Sequence, residues 1–259
     1  MLRLRVFSTL IGTPILVALL FLGKTPFFIL IALLSFTGII EFNSVLRKKA
    51  RPNIILTLLA GLGFPLLALL NGEDGLGKGL VLLLFFALVF QIFSERKFSS
   101  LDVSATILCP VYVSLLFSHL ILLQGLGKNG PFLVLAVFIG TWSADIAAYA
   151  GGHLMGRRKL APHISPGKTW EGVIIGFLVT LVVLILLAFP GLNLSQRVLL
   201  GLAISVFAPL GDLVESSFKR EAKIKDTGSL IPGHGGILDR FDSLLFTGTV
   251  SYYLIRILS

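Results

Sequence analysis

The chain has 259 residues, 55% of them apolar and only 14% charged, with a mean hydropathy of +0.95. A soluble domain carries about 25% charged residues, so this composition argues against an ordinary water-soluble protein, and the 21 Phe argue against collagen-like or disordered classes. The net charge of +9 raises nucleic acid as a partner, but with this hydropathy it fits basic loops at a membrane better; the single Cys109 excludes internal disulfides and a multi-cysteine zinc site.

A bilayer core about 30 Å thick needs roughly 20 apolar residues as a helix. Nine segments meet that length: Val6–Leu22, Pro26–Leu46, Ile54–Leu70, Gly79–Phe93, Ala105–Leu123, Pro131–Ala150, Gly172–Phe189, Val198–Glu215 and Phe241–Leu258. The expected fold is therefore an all-α polytopic membrane protein. No small-x-small cleavage site follows the first segment, where Phe-Leu-Gly-Lys-Thr-Pro stands, so it reads as a retained helix. Asn71–Gly79 and Gly125–Gly130 read as short external turns. Basic residues alternate between loops: 17 of the 22 fall on one side and 5 on the other. Basic loops face the cytoplasm, which places the N-terminus inside and the C-terminus outside.

The first two-thirds of the chain is bland. Residues 1–130 read as about five structural, lipid-facing helices, and residues 131–259 as a catalytic region with cytoplasmic loops at 151–171 and 216–240. Glu41, late in the second segment, is a functional candidate as an acid within a membrane segment, but it is expected rather to face an Arg or Lys of the adjacent basic loop. Pro14, Pro65 and Pro110 are expected to mark kinks. In the sixth segment Asp145 and Tyr149 are four apart and share a helix face. An acid there must point into a protein cavity or pair with a cation.

The loop that follows carries Ser165, Lys168, Thr169 and Glu171. Gly167-Lys168-Thr169 invites a phosphate-loop reading, but the glycine required five residues earlier is Pro162. Ser165 is expected to cap the next helix and Glu171 to suit its positive end; a phosphate role for Lys168 is compatible with both. Farther on, Asp212, Glu215 or Ser216, and Lys219 line one helix face. Pro209 frees the Ser205 carbonyl one turn earlier. Asp239 and Asp242 begin the last helix, and Gly235-Gly236 before them permits close backbone approach to a ligand. Carboxylates suit Mg²⁺, and Lys and Arg neutralise phosphate, the combination that phosphoryl or nucleotidyl transfer needs.

The stretch Ser216–Asp242 resembles the hallmark of the phosphatidate cytidylyltransferases, also called CDP-diacylglycerol synthases. Ser216, Phe218, Lys219, Arg220, Lys225, Asp226, Gly228, Pro232, His234, Gly235, Gly236, Asp239, Arg240 and Asp242 carry the match. Asp145-x-x-Ala-Tyr149 and Ser165-Pro-x-Lys168-Thr169-Trp170-Glu171-Gly172 are similar to that family's pattern, with Gly167 where a second Lys is common. The resemblance covers Trp142–Asp242. It implies an enzyme that joins CTP to phosphatidic acid, giving CDP-diacylglycerol and pyrophosphate for phospholipid biosynthesis. It implies Mg²⁺ on Asp212 and Asp239, with K⁺ as a companion cation. Lys219, Arg220 and Lys225 become candidates for the phosphates, and Asp226, His234 and Asp242 supporting catalytic candidates. Asp145, Tyr149, Ser165, Lys168, Thr169, Glu171, Glu215, Ser216, Gly235, Gly236 and Arg240 become substrate-binding candidates. A homodimer in the bacterial cytoplasmic membrane, with its active site facing the cytoplasm and no nucleic-acid partner, is expected. The alternatives are a membrane cytidylyltransferase for another lipid phosphate, or a transporter. A reporter fused at Ser259 is expected to read as non-cytoplasmic; a cytoplasmic signal there overturns the odd number of spans.

Overall fold

The structure is a computed structural model and describes residues 2–94, 98–228 and 235–258, with side chains from Leu10 onward. Pro232 and His234, the Arg96–Lys97 loop and Ser259 lie outside the described residues, as do the side chains of Arg3 and Arg5. The helices are α1 (Leu2–Phe21), α2 (Lys24–Leu46), α3 (Ile54–Phe93), α4 (Ser100–Pro110), α5 (Leu116–Gln124), α6 (Gly130–Met155), α7 (Trp170–Leu186), α8 (Leu194–Glu221) and α9 (Leu238–Leu258). A π-helical turn, Val111–Leu115, joins α4 to α5. Strands β1 (Lys159–Ala161) and β2 (Ser165–Thr169) pair antiparallel.

The chain is an all-α polytopic membrane protein. Among the described residues five helical stretches are long and apolar enough to cross a membrane, and two shorter helices are also apolar. Large apolar side chains point outward along them, including Leu59, Phe93, Leu154, Ile174 and Leu186. Water would penalise such a surface, whereas lipid does not. The chain divides into two compact units, one of Met1–Leu122 with Ala222–Arg240, the other of Leu123–Glu221 with Phe241–Ser259.

In the first unit α2 buries Phe27, Ile31, Leu34, Gly38, Phe42 and Val45. Those spacings of three and four make one helical stripe. Helix α3 has 40 residues. Straight, it would run about 60 Å, twice the hydrocarbon thickness. It breaks at Gly72, whose φ of 63° and ψ of −143° no side-chain-bearing residue adopts cheaply. The two limbs then fold together, since a Cβ on Gly79 would lie 2.8 Å from Leu67 Cδ1. The two segments predicted there, Ile54–Leu70 and Gly79–Phe93, fall on these limbs. The predicted Asn71–Gly79 loop shrinks to a single break, which falls at Gly72 rather than at Pro65. Pro110, by contrast, does mark a change, because the π turn begins directly after it. Polar side chains tie the elements: Asp102 closes a capping box with Ser99 and accepts the Arg51 N–H at 2.5 Å, and the Ser114 hydroxyl donates to the Gly61 carbonyl at 2.5 Å.

In the second unit small residues let α6 and α7 approach. A Cβ on Gly172 would sit 2.6 Å from the Ala148 carbonyl oxygen, and one on Gly176 would sit 2.9 Å from that of Ala144. Gly172 and Gly176 form a small-x-x-x-small pair against Ala144, Ala148 and Gly152. Helix α6 runs five residues past the predicted end at Ala150, and α8 runs from Leu194 to Glu221, so the start of each predicted polar loop is helical. Ser165 does not cap α7, contrary to expectation. It lies in β2, four residues too early, and the Thr169 hydroxyl accepts the Gly172 N–H instead. Replacing Gly172 by Val is expected to destabilise the protein by about 1–3 kcal/mol through overpacking. Thermal unfolding in detergent measures this, and an unchanged midpoint contradicts the close approach.

Candidate active site

In the second unit Pro209 and Gly211 prepare the ground for Asp212. Pro209 offers its own carbonyl to Lys168 Nζ at 3.2 Å. A Cβ on Gly211 would lie 2.7 Å from the Asp242 carbonyl oxygen, so only a glycine lets α8 and α9 touch there. Lys168 Nζ then reaches Asp212 Oδ2 at 2.8 Å, and the Ser216 hydroxyl donates to Asp212 Oδ1 at 3.1 Å. One turn on, Lys219 Nζ meets Glu215 Oε2 at 2.6 Å, with Glu215 only 1% exposed. The helix face read from the sequence is thus present, with each acid engaged by a neighbour on that face or by Lys168.

Two further acids join this group. Asp145 Oδ1 accepts the Ser243 hydroxyl at 3.3 Å and feels the charges of Asp212 and Lys168. Asp242 accepts the Ser243 N–H at 2.6 Å and feels those of Asp212, Glu215 and Asp145. Four carboxylates therefore share a neighbourhood with two lysines. Such crowding of like charge is relieved by a proton or by a further cation.

Lys168 is delivered by the β1–β2 hairpin, a feature absent from the sequence expectation. Residues Ser165–Thr169 form β2, and the Thr169 cap fixes where the strand becomes α7. Glu171, in the first turn of α7, accepts the N–H groups of Arg157 and Arg158, which hold its carboxyl below the usual carboxylate range. Arg220 Nε donates to the Ile164 carbonyl at 3.1 Å, tying the end of α8 to the hairpin turn. Tyr149 stands apart: it is exposed and its ring lies parallel to that of His153, 6.4 Å away.

The first unit holds a second polar centre around Asp239. Three donors converge on Asp239 Oδ2: the Thr227 N–H at 2.9 Å, the Thr227 hydroxyl at 3.0 Å and the Gly236 N–H at 2.8 Å. Gly235 takes φ 86°, and a Cβ there would lie 2.8 Å from the same oxygen. The glycine pair thus permits close approach to this chain's own carboxylate. Lys225 and Asp226 are exposed before this turn, and Arg240 is exposed just after it.

Sequence reasoning left Glu41 and Thr227 out of the site. Glu41 was expected to face a basic residue, and it does not. Its Oε1 accepts the Ile237 N–H at 2.9 Å and its Oε2 the Leu238 N–H at 3.0 Å. The physical reason is that the first amides of α9 have no partner within their own helix. An acid in an apolar helix was the available signal; its partners, being backbone amides, carry no side-chain signature.

Among the described residues no group of three or more His, Cys, Asp or Glu side chains forms a ready-made metal cage. Mg²⁺ usually takes one or two protein carboxylates and completes its shell with water and substrate phosphates. Asp239 fits such a ligand, since three donors on Oδ2 fix the direction of the other oxygen.

The model of the cytidylyltransferase family matches residues 3–258. The chain is 34% identical over 266 aligned positions to a protein of Bacillus subtilis (strain 168) named phosphatidate cytidylyltransferase, covering 98% of each chain. Proteins of the same name from Staphylococcus haemolyticus (strain JCSC1435) and Staphylococcus aureus (strain COL) are 40% and 41% identical over 172 residues, covering 65% of each chain. The buried Lys219–Glu215 pair generates a separate expectation. Lys219→Met strands the Glu215 carboxylate and is expected to cost about 3–5 kcal/mol, while the double variant Lys219→Met, Glu215→Leu recovers most of that loss. Detergent melting of the three proteins checks it, and equal midpoints for both variants count against it.

Proposed function

The chain belongs to the cytidylyltransferase family, and we propose that its two polar centres serve Mg²⁺-dependent transfer of a cytidylyl group to a membrane lipid. It is a nucleotidyltransferase that uses CTP and phosphatidate and makes CDP-diacylglycerol for phospholipid biosynthesis. In the proposed chemistry a phosphate oxygen of phosphatidate attacks the α-phosphorus of CTP, and pyrophosphate leaves.

The observation that carries this reading is the engagement of Asp212 by Lys168 and Ser216 in an apolar helix. A lone carboxylate there is costly, and acids at such depth serve function. In this reading Asp212 and Asp239 hold Mg²⁺, with K⁺ as a companion. When bound, the metal neutralises phosphate charge and polarises the phosphorus–oxygen bonds. The chain's own residues do the rest. Lys168, Lys219, Arg220 and Lys225 bind and orient phosphate oxygens as point charges or forks. Glu215 and Ser216 hold Lys219 and Asp212 in place. Asp145 and Asp242 flank Asp212 and couple to its charge. Asp226, His234 and Arg240 complete the charged surroundings, and Gly235 and Gly236 let the backbone come close.

The protein is an integral membrane protein. The reading adds that it lies in the bacterial cytoplasmic membrane with nine spans and acts at the cytoplasmic face, where basic loops gather and CTP is available. It further adds a homodimer and no nucleic-acid partner.

Purified protein given CTP, phosphatidic acid and Mg²⁺ is expected to release pyrophosphate and form CDP-diacylglycerol. Asp212→Asn and Asp239→Asn are each expected to abolish that turnover while the protein still inserts and purifies. Near-normal turnover in either variant removes that residue from the metal site.

A further inference from the structure

Glu41 comes from α2, almost 200 positions before the residues it touches. It is 4% exposed. It belongs to none of the motifs that define the charged stretch after α8. Yet its two carboxylate oxygens accept the amide of Ile237, just before α9, and that of Leu238, its first residue. Asp239, the next residue, accepts the amides of Gly236 and Thr227. Four backbone donors are thus divided in pairs between two neighbouring acids.

Thr227 joins the two. Its hydroxyl stands 3.0 Å from Asp239 Oδ2 and 3.4 Å from Glu41 Oε2. A hydroxyl has one proton, so it serves the nearer oxygen best and holds the farther one at the edge of hydrogen-bonding range. Glycines close around the same carboxylate. A Cβ on Gly236 would lie 2.5 Å from Glu41 Oε2, and one on Gly228 would lie 2.6 Å from Glu41 Oε1. The chain thus gives up two side chains to let this acid in. A helix cap alone needs no buried acid from another helix, since a local Ser, Thr or Asp supplies one.

We propose that Glu41 is a positioning residue for the transfer reaction, which pins the start of α9 and, through Thr227 and the Gly236 turn, fixes the orientation of Asp239. The proposal rests on the reading of Asp239 as a metal ligand. Groups that orient a ligating carboxylate act on metal affinity, and their loss typically costs about 10–100-fold.

The test is made on the full-length protein in lipid–detergent micelles, with Mg²⁺ half-saturation read from turnover at saturating CTP and phosphatidic acid and, independently, from the Mg²⁺-dependent rise in melting temperature without turnover. In Glu41→Gln the side chain has one acceptor oxygen left, and an NH₂ group now faces a backbone N–H. Its Mg²⁺ half-saturation is expected to rise about ten-fold, while KM for CTP at saturating Mg²⁺ stays put. A merely structural role lowers yield and melting temperature but leaves the Mg²⁺ half-saturation of the folded protein unchanged; that result overturns the proposal. Where Glu41→Gln fails to fold, Thr227→Val decides. It is expected to raise the same half-saturation, and Thr227→Ser to restore it; a wild-type value in Thr227→Val overturns the link. Asp239→Asn, run alongside, separates the two levels. If it stays active, Asp239 is no metal ligand and the proposal falls with that reading. If it is inactive while Glu41→Gln and Thr227→Val titrate like wild type, only the positioning role falls.

Discussion

Hydrocarbon offers a carboxylate no solvent donors, so each acid in this scaffold must be given partners by the protein itself. Much of the polar architecture follows from meeting that demand. Asp102 is met by Ser99 and the Arg51 amide, Glu215 by Lys219, Asp212 by Lys168 and Ser216, and Glu41 by the leading amides of α9. The first is a helix cap that stabilises a turn. The others lie beside groups suited to phosphate or metal, so the same solvent constraint that stabilises the fold also fixes where charge is available for chemistry.

The demand on carboxylates is matched by a demand on backbone. Helices in lipid satisfy their own amides, and departures are tolerated only where something else steps in. At Pro65 the Gly61 carbonyl loses its helical donor, and the Ser114 hydroxyl of the π turn donates to it instead. At Pro209 the carbonyl finds Lys168 rather than remaining a purely helical group. The two departures differ in consequence. The first ties together helices that carry no chemistry, while the second brings a lysine to the carboxylate three residues on.

Much of this was legible in the sequence, and unevenly so. Hydropathy reads the apolar helices well because burial in lipid depends on composition over a whole window, and the limbs of α3 emerge as separate segments for that reason. The face carrying Asp212, Ser216, Glu215 and Lys219 was legible because helical spacing alone brings residues three and four apart together. The β1–β2 hairpin was not. Lys159-Leu-Ala and Ser165-Pro-Gly-Lys-Thr show no strand alternation, and a proline and a glycine sit inside the second strand. The small-residue contact of α6 with α7 was spelled out by Gly172 and Gly176, yet a purely hydropathic reading passes over it, since glycine marks the contact by lacking a side chain.

Glu41 shows the deeper limit. A salt bridge can be guessed because both partners are charged side chains, and it was natural to look for one in the nearby basic loop. Its true partners are amides, which every residue but proline possesses. What singles out Ile237 and Leu238 is their position, as the first turn of a helix whose amides have no intrahelical acceptor. That position is set by where α9 begins, and α9 begins where two acids have already claimed the amides before it. The assignment of donors and the start of the helix are therefore one problem with one solution, reached only when segments almost 200 residues apart are brought together. A residue whose role lies in such a joint solution leaves a sequence trace no stronger than an acid in an unexpected place.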